Sequence, residues 1–333
     1  MGNGADIAAF VVGAVVSLVT SWLLVSRLER VGERLGLSEA LLGMVAALAA
    51  DAPEITSAVT ALSHHQQAVG AGVVIGSNVF NLAALLGLGA LVAGRIGLHR
   101  RVVLLGGSVA LWVAIICGLS VERVVNPADG LVLVLVFLVP YGLLLATRRT
   151  SFGHIRLPRR SSQWLVAAID EEELELIVAI RPKRGTPKDA LLAGAALLVV
   201  VAASAAMERG ASALGERYSV SGIVIGGLVL AAVTSMPNAV AAIYLAGKGR
   251  GAAAFSTALN SNTLNVLAGL LLPSVFIGLA GPSSQTTLVT GFYLGMTALI
   301  LVLAYADRGL RRSAGLLVIV GYVVFVVSLL AIS

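Results

Sequence analysis

A single cysteine, Cys117, is present, so the chain can form no intramolecular disulfide and holds no thiolate metal cluster. Charge is equally scarce: Asp, Glu, Lys and Arg make up 12% of the residues, against 58% hydrophobic ones, and the mean hydropathy is +0.97. A water-soluble domain of this size needs far more polar side chains to cover its surface, so this composition describes an integral membrane protein. The apolar runs are about 20 residues or longer, which suits spanning helices and excludes the short alternating strands of a barrel. A formal charge of +6 invites a nucleic-acid reading, but the basic residues sit in short stretches between apolar runs, where they set membrane orientation. No Lys or Arg lies within Met1–Asp6, so residues 5–26 read as a retained helix rather than a cleaved signal peptide. His64, His65, His99 and His154 all fall in loops and read as exposed turn residues.

Hydropathy places ten spans near 5–26, 37–62, 68–93, 102–121, 127–147, 188–207, 219–246, 252–279, 285–305 and 313–332. With this count, every one of the 23 basic residues except Arg123, Arg209 and Arg217 falls on one side. The positive-inside rule makes that side cytoplasmic, with both termini outside, in a multi-pass protein of the plasma or inner membrane. The expected organisation is an all-α polytopic protein: a five-helix repeat over 1–147, a cytoplasmic loop over 148–187, and a second five-helix repeat over 188–333. The loop carries Arg159-Arg160 and an acidic run, Asp170 to Glu173, and reads as a solvated linker with an interfacial helix near Trp164–Ile169. Five spans before the loop invert the second set relative to the first, an architecture of secondary transporters. A gapless shift of 184 residues pairs Gly43 with Gly227, Pro53 with Pro237, Ser77 with Ser261, Asn78 with Asn262 and Asn81 with Asn265.

The charges that remain in the apolar interior are Asp51 and Glu54, and the shift places Ser235 and Asn238 at the same positions of the second half. A carboxylate at mid-bilayer depth costs about 2.5 kcal/mol or more and marks function by default. Pro53 and Pro237 lack an N–H and clash with the carbonyl one turn earlier, so the helix should kink and free carbonyls around Ala49 and Ala50, and around Val233 and Thr234. Carboxylates, freed carbonyls, and the Ser77/Asn81 and Ser261/Asn265 pairs spaced along one helical face form a hard-oxygen set suited to Ca²⁺, Na⁺ or K⁺. Gly70, Gly72, Gly76, Gly87 and Gly89 read as close-packing positions. An intramembrane aspartyl protease would need a second mid-membrane aspartate, which is lacking; no enzyme is expected.

Ala49-Ala-Asp-Ala-Pro-Glu54 with Gly76-Ser-Asn-Val-Phe-Asn81, and Val233-Thr-Ser-Met-Pro-Asn238 with Asn260-Ser-Asn-Thr-Leu-Asn265, resemble the hallmark regions of the cation/calcium exchanger superfamily, sodium/calcium exchanger membrane-region type. The resemblance covers all of the chain outside the central loop. It implies exchange of Ca²⁺ for Na⁺, in some members with K⁺ or H⁺, by sliding a two-helix gate, and needs no cofactor beyond the transported cations. Carried over by motif, it implicates Ala50, Glu54, Ser77 and Asn81, and then Thr234, Ser235, Asn238, Ser261 and Asn265, as cation ligands. Asp51 joins them on its own chemistry. The pattern departs where the family has Gly-Thr-Ser-x-Pro-Glu in both halves: here Asp51 is an extra acid, and Asn238 stands where the second glutamate would. Two carboxylates neutralise one Ca²⁺ or two monovalent ions, and an empty charged pair in low dielectric should resist exposure to the other face unless it is protonated. A proton-coupled exchanger, a degenerate cation-binding paralogue and an ion channel are the alternatives. Partners are the transported cations and membrane lipid; neither nucleic acid nor an obligate protein partner is implied.

Overall fold

In the computed structural model, which describes residues 3–35, 45, 47–146, 167, 185–247, 249 and 251–333, nearly the whole chain is helical. The first half contains α1 (Asn3–Leu35), α2 (Ala52–Ser63), α3 (Gln67–Ala93), α4 (Arg100–Val121) and α5 (Pro127–Ala146). The second contains α6 (Pro187–Arg217), α7 (Gly222–Thr234), α8 (Met236–Gly247), α9 (Gly251–Leu264), α10 (Ser284–Asp307) and α11 (Arg312–Ala331). Helix α9 runs on through a wide π-helical stretch, Asn265–Leu271, into Leu272–Ile277. The one departure from an all-α layout among the described residues is a pair of three-residue strands, β1 (Arg95–Gly97) and β2 (Gly309–Arg311), joined antiparallel with Arg95 opposite Arg311.

Among the described residues, seven helices are long and apolar enough to cross a membrane, and the bent pair α7–α8 makes an eighth. The sequence reading expects ten. Its second span, 37–62, lies partly outside the described residues, and its fifth contains a shorter apolar helix, Pro127–Leu143. The interfacial helix expected near Trp164–Ile169 also lies outside them, apart from residue 167. Two boundaries move. Helix α1 continues to Leu35, so Arg27, Arg30 and Arg34 are helical rather than in a loop, and α6 continues to Arg217, so Glu208 and Arg209 are too. The segments involved are rich in Leu, Glu, Arg and Ala, good helix formers that extend a helix past the end of its apolar stretch.

The repeat is visible in the elements themselves. Helices α6, α8, α9 and α10 begin 184 residues after α1, α2, α3 and α4, the same offset that separates Asn78 from Asn262. Helices α1 and α6 run antiparallel along their length. Asp6 pairs with Arg217 at 3.2 Å near one end, Ser17 meets Ser204 at 2.6 Å, and Arg27 meets Asp189 at 2.8 Å near the other. No β-carbon keeps Gly13 from the backbone of Ala203 and Met207, or Gly210 from that of Asp6 and Phe10. The outward faces of this pair carry Val11, Val15, Val19, Trp22, Leu191 and Leu198, all exposed, as a lipid-facing surface requires.

After its first residue, helix α3 is apolar apart from its Ser77-Asn78 and Asn81 turn and is almost wholly buried, as expected for a central element. It crosses α7 where glycines meet: a β-carbon on Gly76 would overlap the backbone of Gly227, and one on Gly72 would press on Gly227 and Ile223. Gly70 and Gly87 are likewise pressed against Leu62 and Ile319, so these glycines serve packing as the sequence suggests; Gly89 has only ordinary contacts. This close approach brings the polar turns of the two halves together at the centre.

Candidate cation site

Proline dictates the local backbone. The carbonyl of Ala49 has no N–H from Pro53 to accept, and the Ser21 hydroxyl of α1 donates to it instead, at 3.3 Å. The Ala49 carbonyl, expected to be free for an ion, therefore has a hydrogen-bond partner. The helix turns at Asp51 with φ −80° and ψ −4°, and at Ser235 with φ −81° and ψ −5°. The second of these turns bends α7 against α8 by 48°. Equivalent residues of the two halves thus have the same backbone, which aims Asp51 and Glu54 from one side and Ser235 and Asn238 from the other toward common ground.

Both carboxylates are wholly buried, and among the described residues both accept hydrogen bonds only from the opposite half. Asn238 donates to Asp51 Oδ1 at 2.7 Å, and Ser261 donates to the same oxygen at 2.6 Å. Glu54 accepts from Ser235 through Oε1 and from Asn265 through Oε2. Asn81 donates to Ser261 Oγ at 3.3 Å and so reaches Asp51 through it. Seven of the sequence-predicted residues, Asp51, Glu54, Asn81, Ser235, Asn238, Ser261 and Asn265, belong to this one hydrogen-bonded group. Ser77 lies one turn from Asn81, is buried, and its hydroxyl has no partner. The Thr234 hydroxyl does not join that hydrogen-bonded group: it donates to the Leu230 carbonyl of its own helix at 2.9 Å.

Behind the carboxylates lies a second layer that the site assignment from sequence leaves out. Asn78 donates to the Asn262 carbonyl at 3.1 Å and Asn262 donates to the Asn78 carbonyl at 3.1 Å, a reciprocal pair across the two halves. Asn81 donates to Asn262 Oδ1 at 3.2 Å, and Asn265 donates to Asn78 Oδ1 at 3.3 Å, again as mirror contacts. The signal was present in the sequence, since Asn78 and Asn262 match under the repeat, but their spacing turns them away from the Ser77/Asn81 face. Ser57, three residues after Glu54 and buried without a partner, is a further omission. The repeat hides it, because Ala241 is its counterpart.

Removing Asn78 as Asn78→Ala breaks two of these bonds and strands buried groups on Asn262 and Asn265, at about 1–3 kcal/mol for such losses. Its thermal unfolding midpoint in detergent should fall clearly below wild type, whereas the near-isosteric Glu54→Gln should stay close to wild type. An Asn78→Ala midpoint equal to wild type would contradict the clasp.

Five buried oxygens in and around the two carboxylates have no hydrogen-bond partner among the described residues: Asp51 Oδ2, Ser57 Oγ, Ser77 Oγ, Asn81 Oδ1 and Asn265 Oδ1. Buried polar atoms are almost always satisfied, so five together need a reason. Carboxylate, amide and hydroxyl oxygens in this number suit a hard cation taking several oxygen ligands. Among the described residues no group of three or more His, Cys, Asp or Glu side chains is placed to hold a metal ion.

Comparison with known proteins shows the family and the fold. The sequence profile of the sodium/calcium exchanger protein family matches residues 6–145 and 188–331, leaving out the central segment. The inner membrane protein YrbG of Escherichia coli K12 is 24% identical over 270 residues, covering 80% of this chain and 79% of its own. Among solved structures, the sodium-calcium exchanger NCX_Mj superposes with a TM-score of 0.61 at 18% identity, over 98% of this chain and 100% of its own. The H⁺/Ca²⁺ exchanger CAX superposes with a TM-score of 0.72 at 14% identity, over 98% of this chain and 82% of its own. At such identities these superpositions speak for the fold alone.

Proposed function

Because the chain belongs to the sodium/calcium exchanger protein family, within the cation/calcium exchanger superfamily, and is a multi-pass transporter rather than an enzyme, we propose that it exchanges Ca²⁺ for Na⁺ by alternating access at the buried Asp51/Glu54 site. One observation carries this reading: two buried carboxylates surrounded by unpartnered oxygens from both halves. Their combined charge of −2 is balanced by one Ca²⁺ or by two Na⁺, so either load leaves the occluded site neutral. An empty pair facing low dielectric is strongly disfavoured, and this couples the two fluxes. Ala50, Ser77, Asn81 and Asn265 supply neutral oxygens, joined by Thr234 through its carbonyl, while Ser235, Asn238 and Ser261 position the carboxylates and turn toward the ion when it binds.

The matching start points of equivalent helices and the antiparallel α1–α6 pair support two five-helix repeats of opposite orientation, over 1–147 and 188–333 and joined by a 148–187 loop. Ten spans follow from that arrangement, the second lying partly outside the described residues. The distribution of Lys and Arg supports a cytoplasmic loop and external termini.

A second reading has H⁺ as the counter-ion. Asp51 Oδ2 has no partner, so it can take a proton without displacing a hydrogen bond, and two protons neutralise the pair as two Na⁺ do. Uptake of radiolabelled Ca²⁺ into proteoliposomes under imposed Na⁺, K⁺ or H⁺ gradients separates the readings. The first expects uptake driven by outward Na⁺ at equal pH; uptake driven only by a pH gradient establishes the second. A protein inert under every gradient would overturn both.

A further inference from the structure

A second carboxylate site lies away from the centre, near the Arg217 end of α6. A cavity of about 270 Å³ opens there between α6 and the turn joining α2 to α3, lined by His64, Gln66, Glu208, Arg209, Ser212 and Glu216 among others. At roughly 30 Å³ per water, it has room for a cation and several waters. Glu208 is the unusual member. Its side chain is wholly buried, its Oε1 accepts from Ser212 Oγ at 2.8 Å, and its Oε2 is buried with no partner among the described residues although the residue lines the cavity. No ion pair involving Glu208 occurs among the described residues. Arg209, next in sequence, is exposed and also lines the cavity, so it offsets part of the charge from the rim.

The spacing is regular. Glu208, Ser212 and Glu216 are successive i, i+4 positions and form one ridge of α6. Gln66 Nε2 donates to Glu216 Oε1 at 3.4 Å, and both residues line the cavity. The Ser212 hydroxyl spends its proton on Glu208, so its lone pairs remain available. The lining therefore offers two carboxylates, a hydroxyl and an amide oxygen against one guanidinium, an oxygen-rich mouth.

We propose that this cavity is a second cation site, binding a partly hydrated divalent cation through Glu208 Oε2 and Glu216, separate from the Asp51/Glu54 site. No residue is shared between the two, and the membrane-surface end of α6 makes this one a place where cations are gathered before reaching the interior. Nothing in the transport reading requires it, so the two stand or fall separately.

The test is equilibrium dialysis of the purified full-length protein with radiolabelled Ca²⁺, using a central-site double variant, Asp51→Asn with Glu54→Gln, as background. That variant should keep one residual Ca²⁺ equivalent, and adding Glu208→Gln should weaken it at least tenfold. No residual binding in the double variant, or residual binding unchanged by Glu208→Gln, overturns the proposal. Retention of central-site binding by Glu208→Gln in the wild-type background verifies its fold. If that variant instead loses all binding, Ser212→Ala in the double-variant background decides: a several-fold loss supports the site, and no change overturns it.

Discussion

Glu54→Gln should abolish Ca²⁺ exchange while leaving the protein folded. Glutamine has the size of glutamate but only one acceptor oxygen, so it cannot receive both Ser235 and Asn265, the donors that now hold the two oxygens of Glu54. It also halves the charge of the site. At an effective dielectric of about 20, a unit charge about 4 Å from another is worth on the order of 4 kcal/mol, or roughly three decades in affinity. Ca²⁺-dependent uptake into proteoliposomes should fall to the level of protein-free vesicles, with the elution profile on size exclusion unchanged. Uptake at the wild-type rate would remove Glu54 from the site. Asp51→Asn should impair transport in the same direction, and far more than Glu171→Gln in the central segment.

The second large effect concerns where the second charge sits. Under the repeat, Asp51 corresponds to Ser235 and Glu54 to Asn238, so both acids belong to the first half. Yet the cross-pairing in space joins each acid to a neutral group of the other half, Glu54 with Ser235 and Asp51 with Asn238. The Asp51–Asn238 pair is therefore one carboxylate facing one amide at 2.7 Å, and its charge can be transposed without changing the total. Asn238→Asp alone adds a third carboxylate directly opposite Asp51, and Asp51→Asn alone leaves two amides; each should lower exchange by tenfold or more. The double variant, Asp51→Asn with Asn238→Asp, restores one acid and one amide and should recover most of the activity. Coupling between touching residues reaches about 3 kcal/mol, so the rescue is large enough to read in initial rates of uptake. A double variant no better than the weaker single one would show that Asp51 and Asn238 do not act as a pair.

Much of this centre is legible in the sequence because insertion into lipid penalises polar side chains so heavily. Asp51, Glu54, Asn81, Ser235, Asn238, Ser261 and Asn265 stand out against an apolar background, and the 184-residue repeat links those that would pass as isolated polar residues. Pro53 and Pro237 locate the two turns for a local reason, the missing N–H. What stays hidden depends on the partner across the interface. That Ser21 caps the Ala49 carbonyl follows from packing that no spacing encodes. Asn78 and Asn262 match under the repeat but lie off the Ser77/Asn81 face, and only the reciprocal contact across the halves gives them a role. Glu208 escapes notice because a charge just past an apolar run looks like a loop residue; the continuation of α6 to Arg217 is what buries it. The strands β1 and β2 are too short to leave a periodic signal.

The account stands on obligatory coupling at a site that cannot cross empty. Proteoliposomes loaded with radiolabelled Ca²⁺ and diluted into buffer free of Na⁺, K⁺ and Ca²⁺, at matched pH, test it most directly. Retention of the label, followed by rapid release when Na⁺ is added outside, is the predicted result. Release of the label into the cation-free buffer at the same rate would contradict it.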